Sequence, residues 1–112
     1  MSDDQPHHWE VRDRYGNMIY MTAERWQHAL ASRPWLAALL QETLDALRQG
    51  RRKQDPLNLH KYKYYVPCDK LLPEYNHLVV VVLFSTRTDN QGNIISNNYV
   101  TNVWAVFIYG KR

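Results

Sequence analysis

The sequence predicts an α+β domain, with an N-terminal β-hairpin and two α-helices packed on an antiparallel β-sheet. Three observations carry this reading. Apolar residues recur at helical spacing between Trp26 and Leu47, a short β-prone pair of runs precedes that block, and two long β-prone runs over 78–84 and 99–108 follow it. Helices and strands are thus grouped rather than alternating, which separates this pattern from repeated βαβ units.

Taken in order, Trp9-Glu10-Val11-Arg12 alternates apolar with polar, Asp13-Arg14-Tyr15-Gly16 has turn chemistry, and Met18-Ile19-Tyr20-Met21 resumes a β-prone run, which together make a short hairpin. Thr22 is placed to cap a first helix over 23–31, with Glu24 in its first turn complementing the helix dipole and Trp26, Ala29 and Leu30 as its apolar stripe. Pro34 suits the first position of a second helix, whose Leu36, Leu39, Leu40, Leu44 and Leu47 share one face and whose end is set by Gly50 as a C′ residue. Asp55-Pro56 breaks regularity. Residues 61–66 then alternate as a strand with Tyr62, Tyr64 and Val66 on one face, and Pro67 and Pro73 bracket a loop. The four valines 79–82 describe a strand well inside a sheet. Turn chemistry over 88–93 joins it to the last strand, so the two long strands should pair antiparallel.

A chain of 112 residues fits one domain, spanning 9–112, with a polar, unpatterned and frayed stretch over 1–8. At this length roughly two thirds of the unfolded surface can be buried, so a core forms without staples. The single Cys68 excludes an intrachain disulfide and argues for a reducing cytoplasm; lying in a loop without the surroundings of a catalytic thiol, it reads as an ordinary small residue. The polar, acidic start has no basic flank or apolar core, so no targeting segment is expected, and the seven-residue apolar run at 78–84 is too short for a helical membrane span.

Net charge is +3, but between Arg48 and Lys63 six basic residues stand against Asp55 alone, giving +5 there and −2 over the remainder. Tyr62, Tyr64 and Tyr65 adjoin this segment, so it combines phosphate contacts with stacking surfaces, the ingredients of sequence-tolerant single-strand binding. A solvated charged edge that discourages aggregation is the other reading. Phosphate-cradling and dinucleotide glycine motifs, C-x-x-C and H-E-x-x-H are all absent, so no nucleotide cofactor is expected. His7-His8 is adjacent in the terminus and His28, His60 and His77 are isolated in sequence, so no metal is expected either. His28 lies two positions from Trp26, off that part of the apolar stripe, facing either solvent or a site; an ordinary histidine there can serve as acid or base at neutral pH.

Residues 19–28 before Pro34, the segment Gly50-Arg51-Arg52-Lys53-Gln54-Asp55-Pro56, Tyr62-Lys63-Tyr64-Tyr65, the valines 79–82 and Asn97-Asn98-Tyr99-Val100 together resemble small cyanobacterial and phage proteins of the barnase, EndoU, colicin and RelE-like nuclease superfamily, the BECR fold. The resemblance spans Trp9 to the last strand and implies two helices on an antiparallel sheet. It implies metal-independent RNA cleavage, in which the 2′-hydroxyl attacks its own phosphodiester and the protein supplies a base, a proton donor and cations, in a toxin or phage-derived effector. Carried over, His28 matches the helix-one histidine, and Arg51, Arg52 and Lys53 match a basic turn after helix two. The expected catalytic set is His28, Arg51, Arg52, Lys63, Tyr64 and Asn102, with RNA bound by Arg33, Lys53, Lys61, Tyr62, Tyr65 and Thr101. RNA is the expected partner, and a cognate inhibitor or antitoxin protein a second. Arg33 stands where relatives carry another histidine, and Asn102-Val103-Trp104 where they carry Thr-Ala-Tyr. These departures support the alternative, a catalytically degenerate module of the same fold that binds RNA or protein. A nuclease requires His28, the basic turn and the middle strand's Lys and Tyr around one cleft; a binder requires only a continuous basic and aromatic surface.

Overall fold

The computed structural model describes residues 8–109, so the stretch expected to be frayed lies, apart from His8, outside the described residues. The chain runs through β1 (Trp9–Arg12), β2 (Met18–Met21), α1 (Ala23–Ser32), a 3-10 segment (Pro34–Leu39), α2 (Leu40–Gln49), β3 (Arg51–Asp55), β4 (Asn58–Pro67), β5 (His77–Leu83), β6 (Thr86–Thr88), β7 (Ile94–Ser96) and β8 (Asn98–Val106). Six strands form one sheet in the order β1-β2-β8-β5-β4-β3, and β6 and β7 pair separately. The architecture is α+β, with both helices packed on the sheet. No helix among the described residues is long and apolar enough to cross a membrane.

Two turns share one pattern, Asp-x-x-Gly-Asn. In the first, Asp13 Oδ1 accepts from Tyr15 N at 2.9 Å and Asn17 N at 2.7 Å, and Gly16 takes a φ of +92°. In the second, Asp89 Oδ1 accepts from Gln91 N and Asn93 N, both at 2.9 Å, with Gly92 at +84°. The carboxylate closes the loop while glycine supplies the left-handed residue that a side chain would strain. The first turn joins the antiparallel pair β1 and β2; the second joins β6 and β7, two strands that the turn signal over 88–93 left unassigned.

Thr22 caps α1 as expected, its Oγ1 accepting from Arg25 N at 3.1 Å. The single helix expected from Pro34 is instead split. Leu39, at φ −121° and ψ 27°, lies off the helical region, so a 3-10 segment precedes α2 and the axis breaks between them. Leu36, Leu39, Leu44 and Leu47 are buried nevertheless, and Leu40 is half-buried. Gly50 ends α2 with φ −67°, not in the left-handed region; its need is steric, because a Cβ there would lie 2.3 Å from Ala46 O and 2.8 Å from Tyr65 O. The expected basic turn is likewise replaced. From Gly50 the chain passes directly into the ladder with β4, so Arg51, Arg52 and Lys53 lie in edge strand β3.

The sheet is mixed rather than wholly antiparallel. β5 pairs antiparallel with β4 and, as expected, with β8, but β2 runs parallel to β8, with Ile19 beside Asn98 and Tyr20 beside Tyr99. The two helices carry the chain back across the sheet between these strands, which permits the parallel arrangement. Trp26, Ala29, Leu36, Leu44, Ala46 and Leu47 meet Tyr64, Leu78, Val80, Val82, Val100 and Val103 in one core. Leu44→Ala should therefore lower unfolding free energy by about 2 to 5 kcal/mol in urea titration, and Leu40→Ala by less. A cost below about half a kcal/mol for Leu44→Ala would show that this face is not core.

Candidate nucleic-acid interface

Strand alternation sorts side chains between the two faces of the sheet. Since Tyr64, Leu78, Val80, Val82 and Val103 face the helices, the register assigns their neighbours to the other face in rows. One row is Arg51, Tyr65, Val79 and Trp104; the next is Lys53, Lys63, Val81 and Asn102; a third is Lys61, Leu83, Tyr99 and Tyr20, ending on Glu10 at the β1 edge. β4, β5 and β8 contain no Asp or Glu. Lys63 Nζ lies 5.8 Å from the centroid of the Trp104 ring, and the rings of Tyr20 and Tyr99 are 5.9 Å apart. Val79 and Val81 are buried on this face, flanked in register by Tyr65, Lys63 and Trp104.

The position of Trp104 depends on an irregularity in β8. Val82 pairs with Val100 and Val81 with Asn102, leaving Thr101 as an extra residue. Such a bulge resets alternation. Val100 and Val103, three apart, consequently both enter the core, while Asn102 and Trp104 join Tyr99 on the opposite face. Thr101 itself donates to Val81 O at 3.4 Å.

Of the expected site residues, Arg51, Lys53, Lys61, Lys63, Tyr65 and Asn102 therefore share one face. The others do not. His28 is exposed on α1, in the helical layer, whose Trp26 and Ala29 meet the opposite face of the sheet. Arg33 is half-buried at the end of α1, its backbone N–H donating to Ala29 O at 2.8 Å. Tyr62 packs toward the core edge, its ring 5.0 Å from that of Phe84. Period-two alternation along β4 sends Tyr62 and Tyr64 away from Lys61, Lys63 and Tyr65.

Tyr64 and Arg52 belong to a polar cluster around the buried Asp13. The Tyr64 hydroxyl donates to Asp13 Oδ2, Asn17 Nδ2 donates to the same atom at 3.2 Å, and Arg52 Nη1 stands 3.9 Å from it. The Arg52 guanidinium lies 4.4 Å from the ring centroids of both Tyr15 and Tyr62. Burial alone would raise the Asp13 carboxyl, but the hydrogen bonds from Tyr64, Asn17 and Tyr15 outweigh it and hold the group below its ordinary 3.8. Burial, followed by donation to Asp13, pushes the Tyr64 phenol far above its usual range. Tyr64 is fully buried and so is not presented to a ligand as the catalytic set required, while Arg52 is half-buried and held by Asp13 and the two tyrosine rings.

At the β3 end of the sheet an open groove of about 920 Å³ is lined by Arg14, Arg51, Arg52 and Lys53 together with Tyr65, His77, Val106 and Phe107. Burial lowers the His77 imidazole below its ordinary value, favouring its neutral form. Sequence reasoning did not assign Trp104, Tyr99, Tyr20, Arg14 or His77 to the site. The first three stand in β-prone runs, but their shared face needs the β2–β8 pairing and the bulge, neither of which has a local signal. Comparison of the chain with family models, curated proteins and solved structures finds no match.

Tyr64→Phe removes a partner from a nearly fully buried carboxylate and should cost about 1 to 3 kcal/mol by urea unfolding. Because folding depresses the Asp13 pKa, its contribution to stability is complete above the unfolded value of 3.8 and is lost as pH falls through the folded value. Asp13→Asn should flatten that acid limb; an unchanged acid limb would assign the loss to other groups.

Proposed function

We propose that this protein binds single-stranded nucleic acid, RNA in particular, on the sheet face opposite its helices. The observation that carries the reading is the register itself, which sets Arg51, Lys53, Lys61 and Lys63 among Tyr65, Trp104, Tyr99 and Tyr20 with no carboxylate in the three central strands of the platform. Cations spaced along strands meet successive phosphates, and aromatic rings between them accept bases by stacking, which every base can do. Asn102, exposed beside Lys63 and Val81 in the same row, adds a hydrogen-bonding group.

A binding role fits better than cleavage because His28, the expected general base, sits in the helical layer, and Tyr64, the nearest expected proton carrier, is buried against Asp13. General acid and base groups must reach the same phosphodiester. Two helices on a sheet agree with the resemblance to the barnase, EndoU, colicin and RelE-like nucleases, and on that reading the nucleic-acid surface is kept and catalysis lost. This agrees with the departures at Arg33 and Asn102.

Fluorescence anisotropy with a single-stranded oligoribonucleotide across a salt series tests the reading. The Lys53→Gln, Lys61→Gln, Lys63→Gln triple variant should reduce the slope of log affinity against log salt by about 2, at about 0.7 per phosphate contact. Trp104→Ala should cost about 1 to 3 kcal/mol of binding, whereas His28→Ala should bind as wild type. No binding at low salt would remove the platform from consideration. Cleavage in EDTA that leaves 2′,3′-cyclic ends and falls about 100-fold in His28→Ala would restore the nuclease.

A further inference from the structure

We propose that the groove at the β3 edge of the sheet holds the terminal phosphomonoester of a nucleic-acid strand, an inference that rests on reading the adjoining face as a single-strand platform. The groove gathers Arg14 from the β1–β2 turn, Arg51, Lys53 and the Asp13-facing Arg52 from β3, Tyr65 from β4, His77 from β5 and Phe107 from the segment after β8. No Asp or Glu among the described residues lines it. Arg14, Arg51 and Lys53 form no ion pair among those residues; the Arg14 guanidinium is steered instead by donating to Gln49 O at 3.2 Å.

The number and placement of these cations suit a terminal phosphate better than an internal one. An internal phosphodiester carries one negative charge and is served by cations strung along a strand, as Lys61 and Lys63 are. A phosphomonoester carries about −1.5 to −2 charges at neutral pH and presents three acceptor oxygens, so it matches the one place where Arg14 of the β1–β2 turn joins Arg51 and Lys53 of β3. The β3–β4 ladder adds a second reason. Lys53 lies directly opposite Lys63, a like-charge cross-strand pair that is unfavourable by itself and that an anion held by Lys53 relieves.

The structure also gives the groove an end. Asn76 Oδ1 accepts from Ile108 N at 2.8 Å while Asn76 Nδ2 donates to Ile108 O at 2.9 Å, clasping the backbone beyond β8 and fixing Phe107 in the groove lining. Tyr65 and Phe107 then supply aromatic surface for the nucleotide that bears the phosphate, and Trp104, next to Val79 in the Tyr65 row, continues the path along the platform.

The test uses one single-stranded oligoribonucleotide in three forms, with a 5′-phosphate, with a 3′-phosphate, and with hydroxyls at both ends, titrated into the full chain by fluorescence anisotropy. One phosphorylated form is expected to bind about tenfold tighter than the hydroxyl form, the scale of an added charge-assisted hydrogen bond, and which one it is reports strand polarity. In Arg51→Gln/Lys53→Gln the three affinities should converge. Arg14→Gln, in an exposed turn, is a second variant expected to reduce the preference while thermal unfolding shows an intact fold. Equal affinity for all three forms in the wild-type chain overturns the terminal site and leaves the platform standing, as does a preference that survives in both folded variants. Tight binding of a phosphorylated form with none of the hydroxyl form upholds the groove and overturns the platform; no binding of any form overturns both.

Discussion

β5 is hydrogen-bonded on both sides, to β4 and to β8, and its Leu78-Val79-Val80-Val81-Val82 core offers only aliphatic surface to either face. Leu78, Val80 and Val82 meet the helices. Val79 and Val81 face the other way and are also buried, although the helices pack on the opposite side. Fully burying a valine is worth about 1.5 to 3 kcal/mol, so leaving two of them to water is costly. Their cover comes from neighbours in register that are long enough to lie beside them, Tyr65, Lys63 and Trp104. Lysine stems and aromatic rings can shield apolar surface while their charged heads or ring faces remain available. The side chains of the candidate interface are therefore also the roof over one side of the central strand.

The opposite side of the sheet is closed by a polar cluster rather than by apolar contact alone. β1 and β3 are opposite edges in the strand order, yet the turn after β1 brings Asp13 to Tyr64 of β4 and close to Arg52 of β3. Asp13 gathers donors from its own turn and from a residue 51 positions away, so the carboxylate is buried without being left unsatisfied. Arg52 is held between the Tyr15 and Tyr62 rings. A guanidinium in this setting joins strand to turn by both charge and ring contact. The same turn delivers Arg14 to the groove, so structural closure and groove charge share one element.

Adjacent residues in β3 and β4 consequently have unlike duties. Arg51 and Lys53 lie with Lys63 and Tyr65 on the open face, whereas Arg52 lies with Tyr62 and Tyr64 toward the core. A basic and aromatic segment read as composition groups all of them; read with a period of two it separates them, and the placement of Tyr62, Tyr64 and Val66 on one face was already visible in the alternation. The basic residues that contribute to the platform were thus legible once a strand was assigned at 61–66. Assigning 51–53 to a turn hid the matching alternation in β3, because Gly50 admits both a helix end and a close approach to Tyr65 O.

Local patterning alone determined the α+β class, the two helical stripes, the valine strand, the capping Thr22 and the basic, tyrosine-rich segment, because each depends on periodicity or turn chemistry within a few residues. Tertiary pairing decided the rest. Thr101 becomes a bulge only against β5, and that one extra residue turns Asn102 and Trp104 out of the core and onto the platform. β2 brings Tyr20 to Tyr99 only through a parallel contact between segments 79 positions apart. His28 is set apart from the lysines because α1 packs on the face they do not occupy. Register and layer choice are properties of distant strands meeting, and a one-residue shift exchanges the two faces of a strand, so these features have no counterpart in the local sequence.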